Sequence, residues 1–333
     1  MSQNGFILLL ADGTLWRICS LDVKAESVVI AMSEAMKLQP GNYGRPLLVK
    51  IDPLPKPPVN LTGPGAAVCQ IFPPIDRDML AIGMSQIALA VVREVQTRGG
   101  VLLHGALAEF TQPATEHNKE CDKRGIGILL AGPGTVGKTT ASNRLPPPWR
   151  ALSDDAALVV RDRSGQYWAH PWPTWSRFYS VDGKPGPGGS WDVQHAVPLR
   201  AIFFLSQSHE DRVESISKAS AVTMLMEVVH QVSHTMSRHL SDIETQALNQ
   251  EQLTAVEAMG RAIPAHMLHI SLTGEFWKHI EQAIFSNGPP GFPWFSNSPR
   301  LKPLVEAPDK IKSRIGDDVL YAVYTGPSMN PVL

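Results

Sequence analysis

The rise and fall of apolar residues along the chain predicts a set of elements before any motif is considered. Phe6 to Ser20 reads as a hairpin, with Ala11-Asp12-Gly13 turning between FILLL and TLWRI. Ser27 to Leu38 is predicted helical, and Pro46 to Ile51 (PLLVKI) a strand. The proline-rich stretch Pro53 to Pro64 reads as a connector. In Asp76 to Arg98, Leu80, Met84, Ile87, Val91 and Val95 recur on one helical face, and Gly99-Gly100 ends the helix. Val101 to Phe110 (VLLHGALAEF) and Ile126 to Ala131 (IGILLA) read as buried strands, the second of the parallel kind, with a polar surface loop at Thr111 to Arg124 between them. A short helix starts near Lys138 and stops at Pro146-Pro147-Pro148.

Further along, Asp154-Asp155 enters a strand running to Val160, and an aromatic and proline stretch follows from His170 to Phe178. Residues 182–190 are rich in glycine and proline and read as a mobile loop. Pro198 to Leu205 reads as a buried strand. Two helices come next, with Val222, Leu225, Val229 and Met236 on a face of one, and Leu248, Val256 and Met259 on a face of the other. Ile263 to Leu272 reads as a strand and Phe276 to Ile284 as a helix; the proline-rich remainder holds a short strand at Val319 to Tyr324. The expected fold is α/β, with a central sheet behind a small N-terminal α+β unit. The expected division is 1–75, 76–285 and a C-terminal tail 286–333.

Composition narrows the function classes. The chain has 333 residues, 43% hydrophobic and 18% charged, as a soluble globular protein of about two domains would. A formal net charge of -1 argues against a broad nucleic-acid surface, which phosphate backbones require to be basic. Cys19, Cys69 and Cys121 are scattered, so neither a disulfide framework nor a metal spacing follows, and a reducing cytoplasm is expected. Phe6 to Leu10 is too short for a signal peptide or a membrane span.

The stretch that carries chemistry is Gly132-Pro133-Gly134-Thr135-Val136-Gly137-Lys138-Thr139-Thr140, which fits G-x-x-x-x-G-K-[ST] between a predicted strand and a predicted helix. Glycines let the backbone turn tightly and aim N–H groups at phosphate oxygens. The helix start adds positive potential, the lysine is a point charge for the β- and γ-phosphates, and the threonine hydroxyl suits Mg²⁺. Alone, this pattern indicates a nucleotide and no more.

His104-Gly105 on the preceding strand, and Asp154-Asp155 with its first acid only sixteen residues after Lys138, refine it. This order of strand His-Gly, loop, short helix and Asp-Asp resembles HPr kinase/phosphorylase and the wider phosphoenolpyruvate-carboxykinase-like P-loop group. Pro198 to Leu205 and Pro264 to Trp277 (PAHMLHISLTGEFW) resemble the HPr-kinase-like serine kinases of peptide-modification gene clusters, in particular the kinase-like family of the SynChlorMet cassette. The resemblance covers residues 100–285. It implies ATP and Mg²⁺ as cofactors and a peptide or protein as substrate. Lys138 would contact the β- and γ-phosphates, and Thr139 would bind Mg²⁺. One of Asp154 and Asp155 would be the base and the other would help hold the metal, with Asp155 the candidate metal ligand. His104 would lie close to the transferring phosphoryl group. HPr kinases form hexamers, which puts a homo-oligomer among the expectations.

The residues add a condition of their own. Consecutive residues on a regular strand point to opposite faces, so both acids face one site only where a strand begins or bulges. The pattern also departs from HPr kinases, which carry Ser-Glu after the loop lysine where this chain has Thr139-Thr140. Their downstream glycine-rich signature, with its glutamate and arginine, is missing, so neither phosphorylase activity nor HPr as substrate is implied. Arg177 and Arg200 are the candidates to replace that arginine.

Other features have plainer readings. His230 and His234 are spaced i, i+4, but no Glu follows His230 and no third ligand is in register, so with His239 they read as surface histidines. His170, Trp172 and Trp175 read either as a site edge or as a packed aromatic cluster. The N-terminal unit either packs or offers a strand edge to a peptide. Ser328-Met329-Asn330-Pro331 resembles the nucleophile box of signal-peptidase and LexA-like serine peptidases, but no downstream lysine follows before Leu333, so no peptidase activity is expected. The readings left open are a serine kinase, a small-molecule kinase, and a non-catalytic ATP-binding module that presents a peptide to partner enzymes.

Overall fold

The computed structural model describes residues 5–51, 67–71, 77–111, 125–173, 191–237, 241–285 and 321–322. The expectations for Pro53 to Pro64, 112–124, 182–190, Trp175, Arg177, His239 and Ser328 lie outside these residues. The chain divides into two compact units.

The first unit is built on a six-stranded sheet. β1 (Gly5–Leu9) and β2 (Leu15–Ser20) form the expected antiparallel hairpin. Its turn is set by Asp12, which accepts from the Thr14 amide at 2.8 Å, and by Gly13 at a φ of +87°, where only glycine is unstrained. α1 (Glu26–Ala35) buries Val28, Val29 and Met32. β3 (Gln39–Gly41), β4 (Arg45–Ile51) and β5 (Ala67–Ile71) follow, and α2 (Arg77–Gln96) is the long amphipathic helix. β4 lies parallel to β2 and β5 parallel to β4. Leu8, Trp16, Ile18, Met32 and Leu47 are buried in this unit.

The expected border at residue 75 falls instead at Glu94, and the first unit also takes in residues 191–194. The causes are local. Glu94 near the end of α2 bridges Arg45 of β4 at 2.5 Å, and the Trp191 amide donates to Ala35 O at 2.7 Å.

The second unit is an eight-stranded sheet between two helical layers. In chain order it comprises β6 (Val101–Phe110), β7 (Ile126–Ala131), α3 (Lys138–Arg144), β8 (Trp149–Ser153), β9 (Ala156–Arg161), β10 (Tyr167–Pro171), β11 (Val197–Gln207) and β12 (Arg212–Ser215). α4 (Lys218–Ser237), α5 (Asp242–Ala262), β13 (Ala265–Ile270) and α6 (Phe276–Phe285) complete it. The last described strand, β14 (Tyr321–Ala322), pairs with β5 in the first unit, within the segment expected as a tail.

Continuous apolar strands arise here because both faces are covered. Leu129 and Ala131 of β7 join Ile202 and Phe204 of β11 under Leu225 and Val229 of α4 and Val256 of α5. The alternate residues Ile128, Leu130, Ala201 and Phe203 pack with Ala141 of α3 and Phe276 and Ile280 of α6. β7 is parallel to β11 but antiparallel to β6, so the parallel environment expected for IGILLA holds on one side only. β10 pairs with both β9 and β11 and closes that part of the sheet on itself. It had read only as an aromatic stretch. β12 is a short polar edge strand on β13, too short to show a period.

Strand β6 is the frame of the second unit. One half pairs with β9, as at Val101↔Val159, and the other with β8, as at Phe110↔Trp149. β8 and β9 thus run successively along one edge of β6, and Asp154-Asp155 stands where they part.

Near its far end β6 carries Glu109, an acid inside an apolar strand, which is a sequence signal for buried partners. Glu109 accepts from Arg150 Nε at 2.8 Å, from His195 Nε2 at 3.1 Å and from the Gly125 amide at 3.0 Å. Burial pushes its carboxyl up, but the hydrogen bonds from His195 and Arg150 outweigh that and hold it at about 2 against an ordinary 4.5. The lowered value stabilises the fold fully above pH 4.5, and this contribution is lost as pH falls through about 2. Glu109→Gln is expected to cost about 2 kcal/mol near neutral pH, because it removes the buried carboxylate that accepts from Arg150, His195 and the Gly125 amide. In urea titrations the gap between wild type and variant should narrow as pH falls from 4.5 towards 2; a gap independent of pH would refute this role.

Candidate functional site

The segment 132–137 leaves the carboxyl end of β7 and enters α3. Its backbone needs its glycines: Gly132 has φ +149° and Gly137 φ +105°, both strained for side chains with a Cβ. Thr135 also takes a positive φ, +66°. Pro133, Gly134, Thr135, Thr139 and Thr140 are exposed, Val136 and Gly137 are half-buried, and Lys138 is buried. The Lys138 side chain folds back into the loop, where Nζ donates to Gly132 O at 3.1 Å and Pro133 O at 2.9 Å.

Opposite lies the break between β8 and β9. The Gly105 amide donates to Asp155 O at 2.8 Å, and Ser153 Oγ donates across the pair to Ala156 O at 2.7 Å. A Cβ on Gly105 would stand 2.9 Å from Leu129 Cγ and 3.0 Å from Leu130 O, so the His-Gly pair reflects close approach of β6 and β7. His104 Nε2 lies 2.9 Å from Asp155 Oδ1.

Asp155, Lys138 and His104 respond to one another here. Burial raises the Asp155 carboxyl, but the hydrogen bond and charge of His104 and the charge of Lys138 more than offset this and leave it below the ordinary range. Burial lowers the Lys138 ammonium, and the Asp155 carboxylate opposes that in part. His104, Lys138 and Asp155 therefore share one locality, with Asp155 at its centre. Asp154 is buried, 7% exposed, beside the half-exposed Asp155. The two acids stand where the strand is interrupted, and their environments differ.

Sequence reasoning missed several residues around this locality. Gln231 of α4 turns its Oε1 to His104 Nδ1, and its Nε2 donates to Glu227 Oε1 at 3.2 Å. Arg144, at the end of α3, donates to Ser271 O at 2.7 Å and Gly274 O at 2.6 Å, fixing the turn after β13. Gln207, at the carboxyl end of β11, places Nε2 3.5 Å from Val136 O. Polar residues near helix or strand ends were their only local signal.

The remaining candidates lie elsewhere or are packed. His170 and Trp172 are each 1% exposed, which fits a packed cluster. His230 is exposed and lines a groove of about 420 Å³ between α4 and α5. Among the described residues, no group of three His, Cys, Asp or Glu side chains could hold a metal by itself. The hydroxyl of Thr139 and the carboxylate of Asp155 are hard oxygen donors of the kind Mg²⁺ takes when it keeps waters and phosphate oxygens as further ligands. No helix among the described residues is long and apolar enough to cross a membrane.

A family model described as SynChlorMet cassette protein ScmC matches residues 67–286. That is more than half of the chain, and the chain belongs to this family. No curated protein matches it.

The coupling between Asp155 and Lys138 can be measured without any ligand. Asp155→Asn removes the negative neighbour that favours the ammonium, so Lys138 should titrate at still lower pH than in the wild type. Asp162→Asn, in the turn after β9, should leave it unchanged. NMR titration of ¹³Cε-labelled lysines reads both; an unmoved Lys138 in Asp155→Asn would separate the two groups.

Proposed function

We propose that this SynChlorMet cassette protein is an ATP-dependent serine kinase of HPr-kinase-like type. It would transfer the γ-phosphate to a seryl hydroxyl on a ribosomally made precursor peptide or protein, in the cytoplasm where ATP is supplied. The single observation that supports this most is the convergence of Lys138, Asp155 and His104 beside a glycine-turned loop at a strand's carboxyl end. Membership in a cassette family points to the other cassette products as the source of the acceptor.

Phosphoryl transfer needs little covalent help from a protein, only charge neutralisation and an oriented hydroxyl. In the proposed reaction the bond between the γ-phosphorus and the β,γ-bridging oxygen breaks, and a bond from that phosphorus to the seryl oxygen forms. The seryl proton passes to Asp155. Mg²⁺, which the Thr139 hydroxyl would help hold, would supply positive charge at the phosphates when bound. The Lys138 ammonium exchanges its loop carbonyls for β- and γ-phosphate oxygens. His104 keeps the Asp155 carboxylate turned to the acceptor. The geometry favours Asp155 over Asp154 as the base, since Asp155 is the acid tied to His104 and Lys138.

The test is incubation with labelled ATP, Mg²⁺ and the peptides encoded in the same cassette. Transfer to serine is expected, with Lys138→Ala and Asp155→Asn each reducing it by roughly 1,000-fold. Tight ATP binding without transfer, and a function indifferent to Asp155→Asn, would replace the kinase with a nucleotide-responsive module that presents the peptide. Transfer to a small metabolite instead would make the chain a small-molecule kinase.

A further inference from the structure

His104 is held from both sides. Its Nε2 meets Asp155 Oδ1 at 2.9 Å, and its Nδ1 meets Gln231 Oε1. A single contact leaves an imidazole free to swing about it; a second, on the other nitrogen, fixes the ring plane. The second contact comes from a residue 127 positions away, on a helix anchored by Leu225, Val228 and Val229 in the core beneath.

The orientation of the Gln231 amide also matters. Its oxygen and nitrogen are nearly the same size, and only hydrogen bonding decides which faces the ring. Glu227, one helical turn earlier, accepts from Gln231 Nε2 at 3.2 Å. That acceptor draws the NH₂ group outward and leaves Oε1 for the imidazole. Glu227 is exposed and Gln231 half-buried, so the arm reaches from the surface to the site.

We propose that Gln231, oriented by Glu227, is a positioning residue that sets the His104 ring against Asp155. The proposal rests on the kinase reading for its consequence, but the contact itself is independent of turnover.

The experiment has two arms. In the first, transfer kinetics on the full chain compare Gln231→Leu, Glu227→Ala and Glu227→Gln, and each is repeated in a His104→Ala background. Gln231→Leu is expected to lower kcat about tenfold with the KM for ATP unchanged. The same substitution should have no further effect once His104 is gone, because its route is through that ring. Glu227→Ala should show a smaller loss, which Glu227→Gln, keeping an acceptor oxygen, restores. Equal losses in both backgrounds, or a raised KM for ATP, would overturn the positioning role.

In the second arm, NMR follows the imidazole of ¹⁵N-histidine-labelled protein without nucleotide. A protected Nδ1–H signal for His104 should appear in the wild type and vanish in Gln231→Leu. Its absence from the wild type overturns the arm whatever the activity. A wild type that shows this signal yet transfers no phosphate sinks the kinase reading and leaves the contact standing.

Discussion

A buried ammonium governs the candidate site. Lys138 is 6% exposed, and a cation out of water costs several kcal/mol unless its surroundings compensate. The compensation comes in steps. Two carbonyls of its own loop accept hydrogen bonds from it, and Asp155 contributes a nearby negative charge. Asp155 is in turn held by the Gly105 amide through its backbone and by His104 through its carboxylate.

The sheet exists to bring those groups into register. β6 pairs with β7 along one edge and with β8 and β9 along the other, so one strand carries His104 between the loop and the aspartates. Gly105 permits the close approach, and the alternating faces of β7 and β11 lock the strands between α4 and α5 on one side and α3 and α6 on the other. Glu109 plays a different part, at the other end of β6, where it ties Gly125, Arg150 and His195 together.

The chain belongs to the SynChlorMet cassette family over residues 67–286. The proposed kinase fits that setting because a precursor peptide offers hydroxyls and the site offers a carboxylate beside a cation.

Much of this was legible in the order of residues. The glycines at 132, 134 and 137 announced a strained loop, and apolar periods marked β6, β7, β11 and α2 close to their observed bounds and the existence of the helical pair α4 and α5. The interruption at Asp154-Asp155 followed from the period of a strand once both acids are taken to face one site. Those signals are local, because backbone stereochemistry and side-chain periodicity are properties of neighbours. The return of residues 191–194 to the first unit, the pairing of β10 with two strands, and the contact of Asp155 with His104 required the folded chain. So did the reach of Gln231 to His104: on a helix it is one more polar residue, and only closure of a 127-residue separation gives it a partner. Such contacts depend on which surfaces pack together, and no window of sequence contains both sides of a packing face.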